Sequence, residues 1–478
     1  MNRMCKYLFV GVLFFGIEKK LEAQLSGYNI SEFQLGNLPN TEPSDLSTLY
    51  DQLKVSYQEN GVRAGIRFET FLGTDSNRLQ YQDLSRYYMH YEKDKLEIGV
   101  GNFFESLGRG LLLRSYDISG AVLEDRLYRM RYGFYSDVRG FYAKYKGESF
   151  QLKVLRGKPL FNLLPPTSKD RRSDIIEGIE SNYRIKNQML GATFMRSFSG
   201  DVKKTYASAY LQGSLPLNMR YYTELAHNVS ATEYLLNFNP KSSYGLYTSL
   251  NFSYKSLGVS AEYKNYQNLF LGSGYSDPPT LVKEHTYRVL NRSTHVTDLS
   301  DESGYQVEVF YMFGNGAILT LNHARAKNEL FRDFIFTEYF AEIHSSIGNN
   351  WNIKAFADYS EDPFNLEPAR YAGGIYTTLY LASGWNVSLE TEYQTVKKEL
   401  TDRESVSNVY MGLLFARSTK LSAALLWEYT TDPVIADNPN TESIEGSKSY
   451  PAVSFSYRFN ANNRVQLFAG KRRGGPAC

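Results

Sequence analysis

Strict two-residue alternation constrains this chain more than any other feature, and residues 406–429 show it most plainly. Ser407, Val409, Met411, Leu413 and Phe415 alternate with Asn408, Tyr410, Gly412 and Leu414. After an Arg417-Ser418-Thr419 reversal, Leu421, Ala423, Leu425, Trp427 and Tyr429 alternate with Lys420, Ser422, Ala424 and Glu428. A period of two sends successive side chains to opposite faces of a strand, so one face of this hairpin is apolar and the other mixed and polar. Comparable hairpins recur along most of the chain, which predicts an all-β antiparallel fold.

Composition decides which all-β fold is expected. The chain has 39 Tyr and 29 Phe but a mean hydropathy of −0.41, and no stretch after residue 20 approaches the roughly 18 uninterrupted apolar residues of a membrane helix. Strands that give one residue to lipid for each one given to a polar lumen produce this average. The expectation is a large antiparallel transmembrane β-barrel of about 22–24 strands, set in the lipid bilayer. The net charge of +2 comes from nearly balanced, scattered charges, which points to no nucleic-acid partner.

The N-terminus predicts export. Arg3 and Lys6 precede an apolar run from Leu8 to Ile17, and Leu21-Glu22-Ala23 ends the region, so residues 1–23 read as a secretory signal peptide and Gln24 as the first mature residue. Cys478 is then the single mature cysteine, and no internal disulfide is possible. No linker or composition shift divides residues 24–478, which read as one barrel.

Connections alternate in length. Tight reversals such as Glu59-Asn60-Gly61 and Gly314-Asn315-Gly316 separate the members of a pair, and longer polar loops join one pair to the next. Short periplasmic turns and long external loops have this asymmetry, which places the barrel in a bacterial outer membrane. Tyr359-Ser360-Glu361-Asp362-Pro363 and Tyr429-Thr430-Thr431-Asp432-Pro433 share a pattern that stops a strand and opens a loop. Read this way, the chain contains about 23 strands. By parity the last, 464–471, runs outward without a returning partner, so a final strand is expected to be missing.

Alternation also assigns faces. Trp351, Ile353, Ala355 and Tyr359 fall opposite Asn352, Lys354 and Asp358; Trp385, Val387, Leu389 and Tyr393 fall opposite Asn386, Ser388, Glu390 and Glu392. A basic residue facing lipid costs roughly 2–4 kcal/mol at the midplane, so the charged sets should line the interior. Trp351 and Trp385 each follow a tight turn, where an interfacial aromatic girdle belongs.

One constellation suggests chemistry. Residues 105–156 carry seven candidates for facing the lumen and contacting anions, Arg109, Arg114, Arg126, Arg129, Arg131, Arg139 and Arg156, with Lys144, Lys146 and Lys153. The stretch 105–136 reads as irregular and is expected to fold into the lumen, where guanidinium forks would select small anionic solutes. Against this stand Glu105, Asp117, Glu124, Asp125, Asp137 and Glu148, which could tie the arginines into a space-filling ion lattice. The six histidines form neither His-x-x-x-His nor His-Glu-x-x-His, and no Gly-x-Ser-x-Gly or calcium-loop pattern occurs. No catalytic residue, metal ligand or cofactor is assigned. The two functional expectations are a porin-like channel and, alternatively, a structural barrel whose external loops dock a protein partner of a surface export or attachment complex.

Gly108-Arg109-Gly110-Leu111, Arg114-Ser115-Tyr116, Arg131-Tyr132-Gly133-Phe134-Tyr135, Val138-Arg139-Gly140 and Gly470-Lys471-Arg472-Arg473-Gly474-Gly475 resemble a family of uncharacterised Bacteroidota outer-membrane β-barrels. The resemblance covers essentially the whole mature chain. It implies an exported porin-like barrel with no assigned chemistry. It also implies a continuation beyond the last residue here, with a second Cys and a closing strand.

Overall fold

The computed structural model describes residues 24–473 except 38–44, 74–79, 125–129, 161–173, 230–242, 270–277, 281–282, 284, 292–294, 296–300, 329–333, 383, 400–404 and 434–446. Residues 1–23, where a signal peptide is expected, and Cys478 lie outside the described residues. So does whatever follows the last strand beyond Arg473.

A 23-stranded sheet carries the fold, within the range the alternation predicts. It is a meander: each strand is antiparallel to the next, from Gln24–Asn37 and Asp45–Glu59 through to Lys448–Arg458 and Arg464–Gly470. Tight turns hold the pairs in register. At the first, Asn60 and Gly61 both have positive φ, 47° and 81°, as a two-residue hairpin turn requires. Among the described residues Gln24–Asn37 pairs only with Asp45–Glu59, and Arg464–Gly470 only with Lys448–Arg458.

The two faces differ as a transmembrane barrel wall demands. On one face Val100, Ile375, Leu389 and Leu425 stand exposed. On the other, Glu69, Glu224, Lys264, Glu302, Glu338 and Glu392 are buried. Ionic groups persist in such an interior only when paired or hydrogen-bonded, and tyrosine supplies many of the partners. Tyr50 donates to Glu69 at 2.6 Å, Tyr142 to Glu97 at 2.7 Å, Tyr210 to Glu180 at 2.7 Å, Tyr222 to Glu224 at 2.5 Å and Tyr410 to Glu390 at 2.8 Å. Glycines on the facing strands make room for some of these rings. A Cβ on Gly191 would lie 2.0 Å from the Tyr210 ring, and one on Gly99 would lie 2.3 Å from that of Tyr142.

Residues 105–136 are more regular than expected. They form two hairpins, Ser106–Leu107 with Leu113–Arg114, and Tyr116–Glu124 with Met130–Ser136. The sheet bypasses them, since Leu96–Phe103 pairs directly with Val138–Lys146. Alternation is hard to read here because Gly108 and Gly110 turn the chain through positive φ and a register shift interrupts the second hairpin between Ile118 and Val122. A second insertion follows strand Leu257–Gln267 and contains a short helix, Arg288–Asn291.

Candidate functional site

The site is the inner face of the sheet together with the two insertions that pack on it. The first docks through an apolar ridge. Leu107, Leu111, Leu112 and Leu113 are fully buried, in one cluster with Ile176, Met195, Tyr222, Tyr247 and Tyr266 from the wall. Its second hairpin leans on the opening strands of the sheet: Gln52 Nε2 donates to the Tyr132 carbonyl at 2.8 Å, and the Arg67 guanidinium lies 4.3 Å from the Tyr135 ring centre. Lysines on the wall hold its base. Lys153 Nζ lies 3.4 Å from Glu105, donates to the Ser106 carbonyl at 2.6 Å, and lies 2.9 Å from Glu180; Lys144 also pairs with Glu105.

Arg109 is presented from this framework. Its backbone N–H donates to Tyr222 Oη at 3.0 Å, its guanidinium stacks 4.3 Å from the Tyr222 ring centre, and Nη1 donates to Ser249 Oγ at 2.7 Å. The side chain remains exposed, and no carboxylate lies within ion-pair distance of its guanidinium among the described residues. Arg114 is also exposed, 5.6 Å from the Tyr116 ring centre.

The remaining arginines are distributed differently from the expectation. Arg126, Arg129 and the Arg131 side chain lie outside the described residues; the Arg131 backbone pairs with Leu123. Arg139 and Arg156 correct the reading that they face the lumen. On strand Val138–Lys146, Val138 and Tyr142 are buried and Lys144 reaches Glu97 and Glu105, so Arg139 shares the opposite face with exposed Phe141 and Tyr145. It sits 5.1 Å from the ring centre of exposed Tyr87. On Phe150–Pro159 the inward set is Lys153, Leu155 and Gly157, which puts Arg156 outside, paired with Glu177 at 3.1 Å. The carboxylates set against the arginines in sequence are held partly by others: Glu105 by lysines, and Asp117 by Arg86 at 3.3 Å.

Trp351 opens strand Trp351–Asp362 on the exposed face and donates through Nε1 to Thr377 Oγ1. Trp385 opens Trp385–Lys397, with the Arg417 guanidinium 5.7 Å from its ring centre. Toward the other end of Trp351–Asp362, Tyr359 stands in register between Tyr339 and Tyr371 of the two flanking strands, with ring centres 6.4 and 4.8 Å apart.

The second insertion contributes residues that sequence reasoning missed. Tyr287 stacks on Phe356 with ring centres 3.6 Å apart and donates to Glu342 at 2.5 Å. Glu392 accepts from the backbone N–H groups of Arg288 and Val289 at 3.2 and 2.8 Å, and the Arg288 side chain reaches Glu428 at 3.2 Å. His285 approaches Glu338 at 3.2 Å. His295 lies 3.2 Å from Asp362 and 3.7 Å from Glu302. Burial by itself would lower its pKa, but these two carboxylates outweigh that and raise it to about 9. These side chains stand alone in a long polar loop, so no spacing marks them.

A family described as a family of unknown function, DUF6029, matches residues 17–478. No curated protein matches the chain. Among solved structures, the P pilus usher PapC translocation pore is 10% identical, with 94% of this chain and 96% of that one covered at a TM-score of 0.49. The outer membrane protein OpdK of Pseudomonas aeruginosa is 13% identical, with 74% and 96% covered at 0.40. A BenF-like porin from Pseudomonas fluorescens is 12% identical, with 74% and 98% covered at 0.42. Each TM-score lies below 0.5.

Proposed function

The chain belongs to the DUF6029 family of unknown function, and we propose that it is an outer-membrane, porin-like channel for small solutes, narrowed by its two insertions and biased toward anions by Arg109 and Arg114. Residues 1–23 direct export, the apolar face meets the bilayer, and Trp351 and Trp385 form part of an aromatic girdle at the turn end of the wall. The reading is non-enzymatic. The observation that carries it is the presentation of Arg109: a guanidinium fixed by Tyr222 and Ser249, exposed, and free of a carboxylate partner among the described residues. Such a fork suits carboxylate, phosphate or sulfate. In planar bilayers the purified protein should conduct with a reversal potential favouring anions. The double substitution Arg109→Ala, Arg114→Ala should move that potential toward cations, and an unchanged potential would sink the arginine proposal.

One observation favours a second reading. Leu107, Leu111, Leu112 and Leu113 of the first insertion are fully buried against the wall, which suits a filled structural barrel that docks a protein partner through its external loops. Absence of measurable conductance, together with a stable co-purifying partner, would replace the first reading with this one.

A further inference from the structure

We propose that His285, Glu338 and Asp358 form a site for one divalent transition-metal ion of the zinc class, which clamps the second insertion to the wall. The three come from separate elements: the insertion, strand Phe334–Ile347 and strand Trp351–Asp362. Each offers a ligand atom, and these atoms all lie within 4.8 Å of one another, with all three residues buried. Bonds of about 2.1 Å would draw the ligands somewhat closer, within reach of side-chain torsions.

The polar atoms around this point are under-satisfied. Asp358 has a fully buried side chain, and neither of its oxygens has a hydrogen-bond partner; Glu338 Oε2 and His285 Nδ1 are in the same condition. Arg370 is the cation already at hand, but it stands off at 3.7 Å from Asp358 and 3.8 Å from Glu338, too far to donate to either. Its third acidic neighbour is Glu367, at 4.0 Å. The carboxylates of Asp358, Glu338 and Glu367 crowd one guanidinium, and a divalent ion between Asp358 and Glu338 would offset their mutual repulsion. A buried, unpaired carboxylate is costly enough that it must be protonated or meet a cation.

The donor set narrows the ion. An imidazole with two carboxylates suits zinc and its first-row neighbours, whereas calcium and magnesium prefer all-oxygen shells. Phe340 packs against the imidazole with ring centres 4.3 Å apart, which orients His285 toward the carboxylates.

The test uses the full mature chain in detergent, stripped with chelator, reloaded with Zn²⁺ or Co²⁺ and desalted. The expected result is one equivalent of Zn²⁺ by elemental analysis and a visible Co²⁺ absorption band, with little uptake of Ca²⁺. His285→Ala and Asp358→Asn should each weaken binding at least tenfold while keeping the heat-modifiable electrophoretic mobility of a folded barrel. Wild-type protein that takes up no stoichiometric Zn²⁺ and shows no Co²⁺ band overturns the proposal, whatever the variants do. Undiminished uptake in both folded variants overturns it as well.

Discussion

At the residue scale, histidine and glycine carry the sharpest consequences. His295 has its pKa raised to about 9 by Asp362 and Glu302, above the roughly 6.5 of an unfolded chain. Its contribution is therefore fully present below about pH 6.5 and lost as pH rises through about 9. An alkaline-tolerant protease should cut within 278–295 faster at pH 10 than at pH 7, relative to an unfolded control, and His295→Gln should remove most of that dependence. Gly191 acts through space: with its Cβ position 2.0 Å from the Tyr210 ring, Gly191→Leu must displace the ring and strain its bond to Glu180. Overpacking of this kind costs about 1–3 kcal/mol. Denaturant titration in detergent or vesicles should show the loss.

Among the elements, the first insertion is the one whose docking can be tuned. Leu111 and Leu112 are fully buried against tyrosines of the wall, and a Leu→Ala change at such a site costs about 2–5 kcal/mol locally. Leu111→Ala with Leu112→Ala should loosen the insertion while the strand ladder beneath it remains. If this element narrows the pore, single-channel conductance should rise and become noisier; conductance equal to wild type would show that the insertion does not limit flow. Much of this element escaped a reading by alternation, because its first hairpin has two-residue strands turned through glycines at positive φ and its second carries a register shift. The faces of Arg139 and Arg156 were legible, by contrast. Counting in twos from buried Val138 and from Lys153 places both outside, a step that grouping arginines by sequence proximity passes over.

For the whole molecule, the exposed apolar face sets the folding medium. Leu389 lies midway between Trp385 and Tyr393 on one strand, and those two residues are separated by roughly 26 Å at about 3.3 Å per residue. With a strand tilt of about 35–45° this span rises roughly 18–21 Å along the membrane normal, which fits inside an apolar band about 25 Å tall. Leu389→Arg should lower stability in vesicles by about 2–4 kcal/mol, and far less in a detergent that adapts around the charge. Comparable losses in both media would argue against a lipid-facing position.

What the sequence by itself determined was the wall: an antiparallel all-β meander, its strand number, its turns and the face of most side chains. These follow from local rules, since a two-residue period and a tight turn need no knowledge of distant partners. Only the tertiary structure decided what the interior contains. Tyr50 and Tyr142 find Glu69 and Glu97 on neighbouring strands, Arg109 finds Tyr222 and Ser249, and His285 meets Glu338 and Asp358 from a distant loop. Such contacts bring together residues far apart in the chain, and two-residue periodicity carries no record of them.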